Sequence, residues 1–249
     1  MLKELNFKIG GLQKTSLLDF PDKVSAIVFA QGCNFNCGFC HNPALLKINA
    51  LSPLPLRERG RGEGAEYIST DSFFSFLETR RGKLDGVVIT GGEPCLQPDL
   101  KAFIQKIKEA GFLVKLDTNG SFPDILEDLL NENLLDYTAM DIKAPLGKYE
   151  TVINARINTD KIKKSIDLIM TAGIDYEFRT TFMPYYHTID DFEKIGALIK
   201  GARKYYLQKF EARTEINNPA LKDKKNYSDA DIQKIINILK NYVNNVSLR

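Results

Sequence analysis

Apolar residues along the chain follow two alternating rhythms. Short runs rich in β-branched and aromatic residues at 24–30, 86–90, 112–117, 137–142, 176–182 and 205–210 predict six strands. Between them the apolar positions recur at helical spacing. Leu100, Phe103, Ile104 and Ile107 make one stripe with Gly111 placed to end it, and Ile162, Ile166 and Ile169 make another, begun near Thr159 and ended near Gly173. Ser228 and Asp231 open a last helix whose stripe runs Ile232, Ile235, Ile236, Leu239 and Val243. Further helices are expected over 71–79, 123–131 and 189–203. Strand followed by helix, six times over, predicts an α/β fold: a parallel sheet covered by helices that curls into an incomplete TIM-type (β/α)6 barrel. Residues 1–249 fit one domain of this kind.

In such a barrel chemistry gathers where strands end and the loops to the helices begin. Four polar clusters fall at those places. A cysteine-bearing loop follows the first strand, Gly91-Gly92-Glu93 the second, Asp117-Thr118-Asn119-Gly120 the third, and Asp141-Ile142-Lys143 closes the fourth.

Composition narrows the field without naming a chemistry. Hydrophobic residues are 43% and charged residues 27%, the balance of an ordinary globular chain. A net charge of +2 gives no broad field to hold nucleic acid, and the basic clusters at 161–164 and 222–225 read as solvated faces. The N-terminal residues lack the apolar core of a leader, and no apolar run approaches membrane-spanning length, so a cytoplasmic protein with no membrane role is expected. The stretch 51–64, dense in proline, glycine and alternating charge, cannot build a packed core and reads as a flexible insert, with a partner-binding arm at the active-site rim as the functional alternative.

Cys33, Cys37 and Cys40 place three of the four cysteines within eight residues, at the spacing C-x3-C-x2-C. Crowded thiols of this kind point to a metal site rather than a disulfide framework. A structural zinc site wants four protein ligands, whereas three thiolates can hold a cubane cluster and leave its fourth iron open. A zinc-binding or electron-transfer module without catalysis is the alternative. The fourth cysteine, Cys95, reads as a packed small residue.

The cysteine spacing with Phe39 before its last thiol, followed downstream by Thr90-Gly91-Gly92-Glu93-Pro94, resembles the two signatures of the radical S-adenosylmethionine (radical SAM) enzymes. The resemblance implies one 4Fe-4S cluster on Cys33, Cys37 and Cys40, and SAM as co-substrate. SAM would be cleaved reductively to methionine and a 5′-deoxyadenosyl radical that abstracts hydrogen. It implies Gly91, Gly92 and Glu93 along the methionine part of SAM, Phe39 on the adenine or shielding the cluster, and His41, in a Cys-His-Asn run with Asn42, near either. No catalytic residue is implied beyond the cluster and the SAM site.

The segments 116–120 and 140–143 are similar to the corresponding strand ends of activating enzymes for glycyl-radical proteins. There Asp117, Asn119, Asp141 and Lys143 would contact SAM, and Asp117 with Asp141 could gather a monovalent cation. The N-terminal stretch from Ile9 to Ser25 resembles the activating proteins of anaerobic ribonucleoside-triphosphate reductase. Pyruvate formate-lyase activating enzymes are close cousins, whose cofactor-contacting histidine on the last strand is missing here; Gln208 is placed to fill similar space. The implied partner is a glycyl-radical protein, in the first instance an anaerobic ribonucleotide reductase. With no cysteines for a second cluster, an external donor such as flavodoxin or ferredoxin is implied. The rival within the superfamily is an enzyme acting on a small molecule.

Overall fold

The computed structural model describes residues 5–46, 68–211 and 216–249, which fall into two compact units. The insert expected at 51–64 lies outside the described residues. The first unit takes its residues from Met1–Asn34, Ala44–Thr118 and Asp124–Tyr137, the second from Phe35–Pro43, Asn119–Pro123 and Thr138–Arg249.

In the first unit the elements run β1 (Ile9–Ser16), β2 (Ser25–Ala30), α1 (Thr70–Glu78), β3 (Gly86–Gly91), α2 (Leu100–Glu109), β4 (Leu113–Thr118) and α3 (Pro123–Asn131). The strands lie in the order β1-β2-β3-β4. β2, β3 and β4 are parallel, and the register pairs Ser25 with Gly86 at one end and Ala30 with Gly91 at the other. The nearly continuous apolar runs of β2 and β3 are those of strands covered on both faces, while β4 interrupts its run with the buried Lys115. β1 is antiparallel to β2, a strand the apolar pattern does not reveal. It carries Gly10 and Gly11 and then exposes Gln13, Lys14 and Thr15, as the outermost strand of its sheet is free to do. Phe20, Ile27, Val88 and Tyr137 form a buried cluster against Phe29 and Leu113. Phe103 of the predicted stripe stacks on Phe7 with ring centroids 4.0 Å apart.

In the second unit, which takes β5 from Thr138 on, the order is β5 (Tyr137–Asp141), α4 (Tyr149–Ile153), α5 (Thr159–Thr171), β6 (Asp175–Phe182), α6 (Ile189–Leu198), β7 (Lys204–Lys209), α7 (Asp229–Leu239) and β8 (Asn245–Leu248). β6, β7 and β8 are parallel neighbours. The Ser228 hydroxyl accepts from the Asp231 N–H at 3.2 Å, so α7 starts where its cap residue predicts. α6 is shorter than the 189–203 read from the sequence. Gly201 adopts φ 88° and donates its N–H to the Tyr242 carbonyl at 2.8 Å, which ends the helix before Arg203. β8 is short, half polar and at the margin of its sheet, which hides it from an apolar count. The lysines at 161, 163 and 164 and those at 222, 224 and 225 are exposed, as expected of solvated faces.

Candidate cluster and cofactor site

The cysteine loop and the Gly-Gly-Glu segment leave the same end of two paired parallel strands. The Gly92 N–H donates to the Ala30 carbonyl at 2.9 Å, and the Glu93 N–H to the Gly32 carbonyl at 2.8 Å. The base of the cysteine loop is closed in turn by the Gly32 N–H on the buried Leu45, 2.6 Å from its carbonyl. Gly91 takes φ 114°, and a Cβ on residue 92 would sit 2.0 Å from the Gly32 oxygen and 3.3 Å from the Cys33 nitrogen. The close approach that these glycines allow is therefore to the backbone carrying Cys33. Gly92→Ala is expected to push Gly32 and Cys33 aside. Its stability should fall by about 1–3 kcal/mol, the range for overpacking, and reconstituted iron should fall with it. Chemical denaturation and an iron assay check both.

Glu93 is fully buried. Its Oε1 accepts from the Thr118 hydroxyl at 2.8 Å and from the Cys95 N–H at 3.1 Å, so the carboxylate braces the loop from inside. Burial, followed by the charge of Glu93, pushes the Cys95 thiol well above its ordinary range, the condition of an inert packed cysteine. Asp117 accepts from the Lys115 ammonium, itself buried and lying 5.8 Å from the centre of the Tyr137 ring.

In the second unit Cys37 is buried and Cys40 half-buried, joined through the Cys40 N–H on the Cys37 carbonyl at 3.1 Å. Burial pushes the Cys37 thiol up to about 11, against the pull of the Lys143 ammonium, and also raises Cys40. Bound iron supplies the positive charge that turns such thiols into thiolates. Among the described residues, no group of three or more His, Cys, Asp and Glu side chains is arranged to hold a metal ion. The fit to a cluster rests on the donor set, three soft sulfur ligands on one short loop.

Lys143 stands at the end of β5 with its Nζ 2.9 Å from Asp141 Oδ2 and 6.0 Å from the centre of the Phe39 ring. The other oxygen of Asp141 accepts from Arg179 Nε at 2.9 Å. Burial would raise the Asp141 carboxyl, but the Arg179 and Lys143 cations hold it well below the usual carboxylate range. Burial likewise works against the Lys143 ammonium, and Asp141 and Cys37 more than offset it, so Lys143 stays charged. The peptide of Lys143 is pinned from both sides. Its N–H donates to the Tyr149 hydroxyl at 3.2 Å, and its carbonyl lies 2.9 Å from Nε2 of the buried His187. Burial lowers the His187 imidazole. A neutral ring protonated on Nε2 satisfies Lys143 and leaves Nδ1 to accept from the Met183 N–H at 3.4 Å.

Cys37, Phe39, Asp141 and Lys143 are thus gathered in one unit, and Cys33, Gly91, Gly92 and Glu93 in the other. The remaining sequence candidates have other engagements. Asn119 Oδ1 accepts from the Ser121 N–H at 2.9 Å, closing a turn. His41 stacks on Phe210 with centroids 5.9 Å apart, and Gln208 Oε1 accepts from the Thr181 hydroxyl at 3.4 Å.

Arg179, His187 and Asn217 escape a reading by motif. The only signal for Arg179 is its place on a strand, where Glu177, Arg179 and Thr181 alternate with Phe178, Thr180 and Phe182. The Asn217 amide reaches back to the cysteine loop, its Nδ2 2.8 Å from Asn36 Oδ1 and 3.1 Å from the Cys37 carbonyl. The neighbouring Asn218 N–H donates to the Gly38 carbonyl at 2.9 Å. Asn217→Ala should release iron to a chelator about tenfold faster than the parent, the scale expected when such supporting hydrogen bonds are lost. An unchanged release rate would show the clamp to be idle.

The radical SAM superfamily model matches residues 27–199. The provisionally named glycyl-radical enzyme activating enzyme of Methanocaldococcus jannaschii is 35% identical over 246 residues, covering 97% of this chain and 95% of its own. The pyruvate formate-lyase-activating enzyme of Listeria monocytogenes is 31% identical over 153 residues, 57% of this chain and 55% of its own. Among solved structures, QueE from Escherichia coli aligns with a TM-score of 0.56 at 14% identity, over 98% of this chain and 93% of that one. The chain belongs to the radical SAM superfamily and, within it, to the family of glycyl-radical enzyme activating enzymes. It has the α/β radical SAM fold, that of a partial barrel, and is an enzyme of radical chemistry whose family implies a 4Fe-4S cluster and SAM. Among the described residues no helix is long and apolar enough to cross a membrane.

Proposed function

We propose that this enzyme activates an anaerobic ribonucleoside-triphosphate reductase by abstracting hydrogen from a glycine α-carbon of that partner. The observation that carries the reading is the bonded junction of the two signatures, in which Glu93 donates to Gly32 beside Cys33. The resemblance of Ile9 to Ser25 to the reductase-activating proteins selects the partner. Cys33, Cys37 and Cys40 would hold the cluster, which with SAM supplies a hydrogen-abstracting carbon radical.

The chain's own groups would do the positioning. Lys143, kept cationic by Asp141, would take the SAM carboxylate; Phe39 beneath it would cover the adenine; Gly91 and Gly92 would present backbone to the methionine part. Glu93 would act from behind, by holding Thr118 and Cys95. A monovalent cation on Asp117 and Asp141 would compete with the side-chain cations that these carboxylates already face. Flavodoxin or ferredoxin would deliver the electron in the cytoplasm.

The test is anaerobic electron paramagnetic resonance of the iron-reconstituted enzyme with SAM, reductant and the reductase of the same genome. A glycine-centred doublet on the reductase is the expected result. SAM cleavage without that doublet would overturn the choice of partner.

A further inference from the structure

Beside the cysteine loop the second unit opens a cleft of about 660 Å3. Its walls are Asn36, Asn154, Asn217, Asn218, Tyr185 and Tyr186, with Thr151 at one edge. Gly38 lets the Tyr186 and Asn218 walls close on the cysteine loop, because a Cβ there would lie 2.6 Å from the Tyr186 hydroxyl and 3.1 Å from the Asn218 Cβ. None of these side chains carries a charge at neutral pH. The walls themselves therefore offer no ion partner to a phosphate, a carboxylate or an ammonium group, Lys224 standing over the Tyr185 ring with its Nζ 5.4 Å from the ring centre, and the carboxamides would be left unpaired by a hydrocarbon.

Carboxamides present an acceptor oxygen beside a two-proton donor, the complement of a peptide group. Asn218 Oδ1 already accepts from the Ala220 N–H at 3.1 Å, and Asn36 Oδ1 from Asn217, which leaves the amino groups of Asn36 and Asn218 to donate. Asn154, exposed at φ 48° where α4 ends, brings both halves of its amide. Tyr185 is 55% exposed and stands perpendicular to Tyr186 at 4.9 Å, a rigid pair of rings with polar tips of the kind that grips polypeptide at low entropic cost.

We propose that this cleft binds an uncharged stretch of partner polypeptide through its main-chain amides. The inference rests on the reading that the partner is a protein, and it assigns the place where that protein is gripped. Asn36 and Gly38 belong to the loop that bears Cys37 and Cys40, and Tyr186 packs on Phe39 with centroids 5.5 Å apart. A segment lying in the cleft therefore runs alongside the cysteine loop, and its side chains contribute little to recognition.

The test uses the full cluster-loaded chain and a dye-labelled, end-blocked peptide of glycine, alanine and serine, with binding followed by fluorescence anisotropy. Asn154→Gly, which the left-handed backbone accepts without strain, and Tyr185→Ala should each weaken binding about tenfold with unchanged thermal midpoints. Oligoglutamate and oligolysine peptides should bind more weakly than the neutral one. The proposal is overturned if the neutral peptide does not bind, if both variants bind it like the parent, or if either charged peptide binds as tightly. Neutral-peptide binding lost in the variants, with no glycyl doublet on the reductase, would sink the choice of partner and keep the cleft. A doublet formed at full rate by variants that bind the peptide unchanged would do the reverse.

Discussion

Replacing Cys33, Cys37 or Cys40 by alanine should each abolish reductive SAM cleavage, a loss of at least about a thousandfold, or roughly 4 kcal/mol in the barrier. The three thiols are the cluster's whole protein donor set on the proposed reading, so no spare ligand can fill a gap. Iron and sulfide per chain should fall in parallel. The loss should be equal at the three positions although their surroundings differ, with Cys37 buried and the other two half-buried. Cys95→Ala is the internal control. Its thiol is sealed against Glu93 and Thr118, so the substitution should trim stability slightly and leave SAM cleavage at the parental rate. Chromatographic quantitation of 5′-deoxyadenosine decides the matter, and appreciable turnover in any of the three cluster variants would break the assignment.

The second large effect is expected at Asp141. Its carboxylate lies between the Lys143 ammonium and the Arg179 guanidinium, with side-chain exposures of 26%, 16% and 13% for the three in that order. Asp141→Ala leaves two sheltered cations facing one another. Breaking a fully buried pair costs about 3–5 kcal/mol, and partial exposure here brings the expectation to about 2–4 kcal/mol. Lys143 would also lose its anchor, so the KM for SAM should rise more than kcat falls.

The pH dependence has a definite sign. The folded Asp141 carboxyl is held below its ordinary 3.8, so its contribution is present above that value and fades as pH falls below it. Lys143 is held above its ordinary 10.5, so its contribution is complete below that value and fades only in stronger alkali. The stability gap between parent and variant should therefore be flat from about pH 5 to pH 9 and close in strong acid. Urea denaturation across that range measures it. A gap that varied steeply near neutrality would mean that another group, not this pair, carries the effect.

How well the chain could be read depended on where each residue's partners lie. β2 through β7 announce themselves because each carries a short run rich in β-branched and aromatic residues, unbroken in β2 and β3 and alternating with polar residues in β6, that is visible in any window of the sequence. β1 and β8 border only one neighbour each, so they tolerate glycine, lysine and serine and leave no apolar trace. The end of α6 was missed because Gly201 turns the chain by bonding to Tyr242, a contact that local periodicity cannot contain.

The candidate site divides in the same way. The cysteines, Gly91, Gly92, Asp141 and Lys143 sit in short recognisable strings. Arg179, His187 and Asn217 act on those strings from 38, 44 and 180 positions away in sequence. Glu93 sits in such a string too, but its bond to the Thr118 hydroxyl, 25 positions on, is not contained in it.

The hydrogen bond from Gly32 to Leu45 makes the cysteine loop a closed ring of chain, tied at its neck and anchored by the buried Leu45 side chain, which packs where Gly10 of β1 lacks a Cβ. Length changes within that ring would alter where three sulfurs can stand, while length changes beyond position 46 fall outside the knot. This neck is therefore the natural splice point of the enzyme. A tag, a reporter domain or a tether to the partner can be introduced after it, and residues 32–45 should be moved between relatives only as one piece together with the Gly-Gly-Glu segment that packs against it.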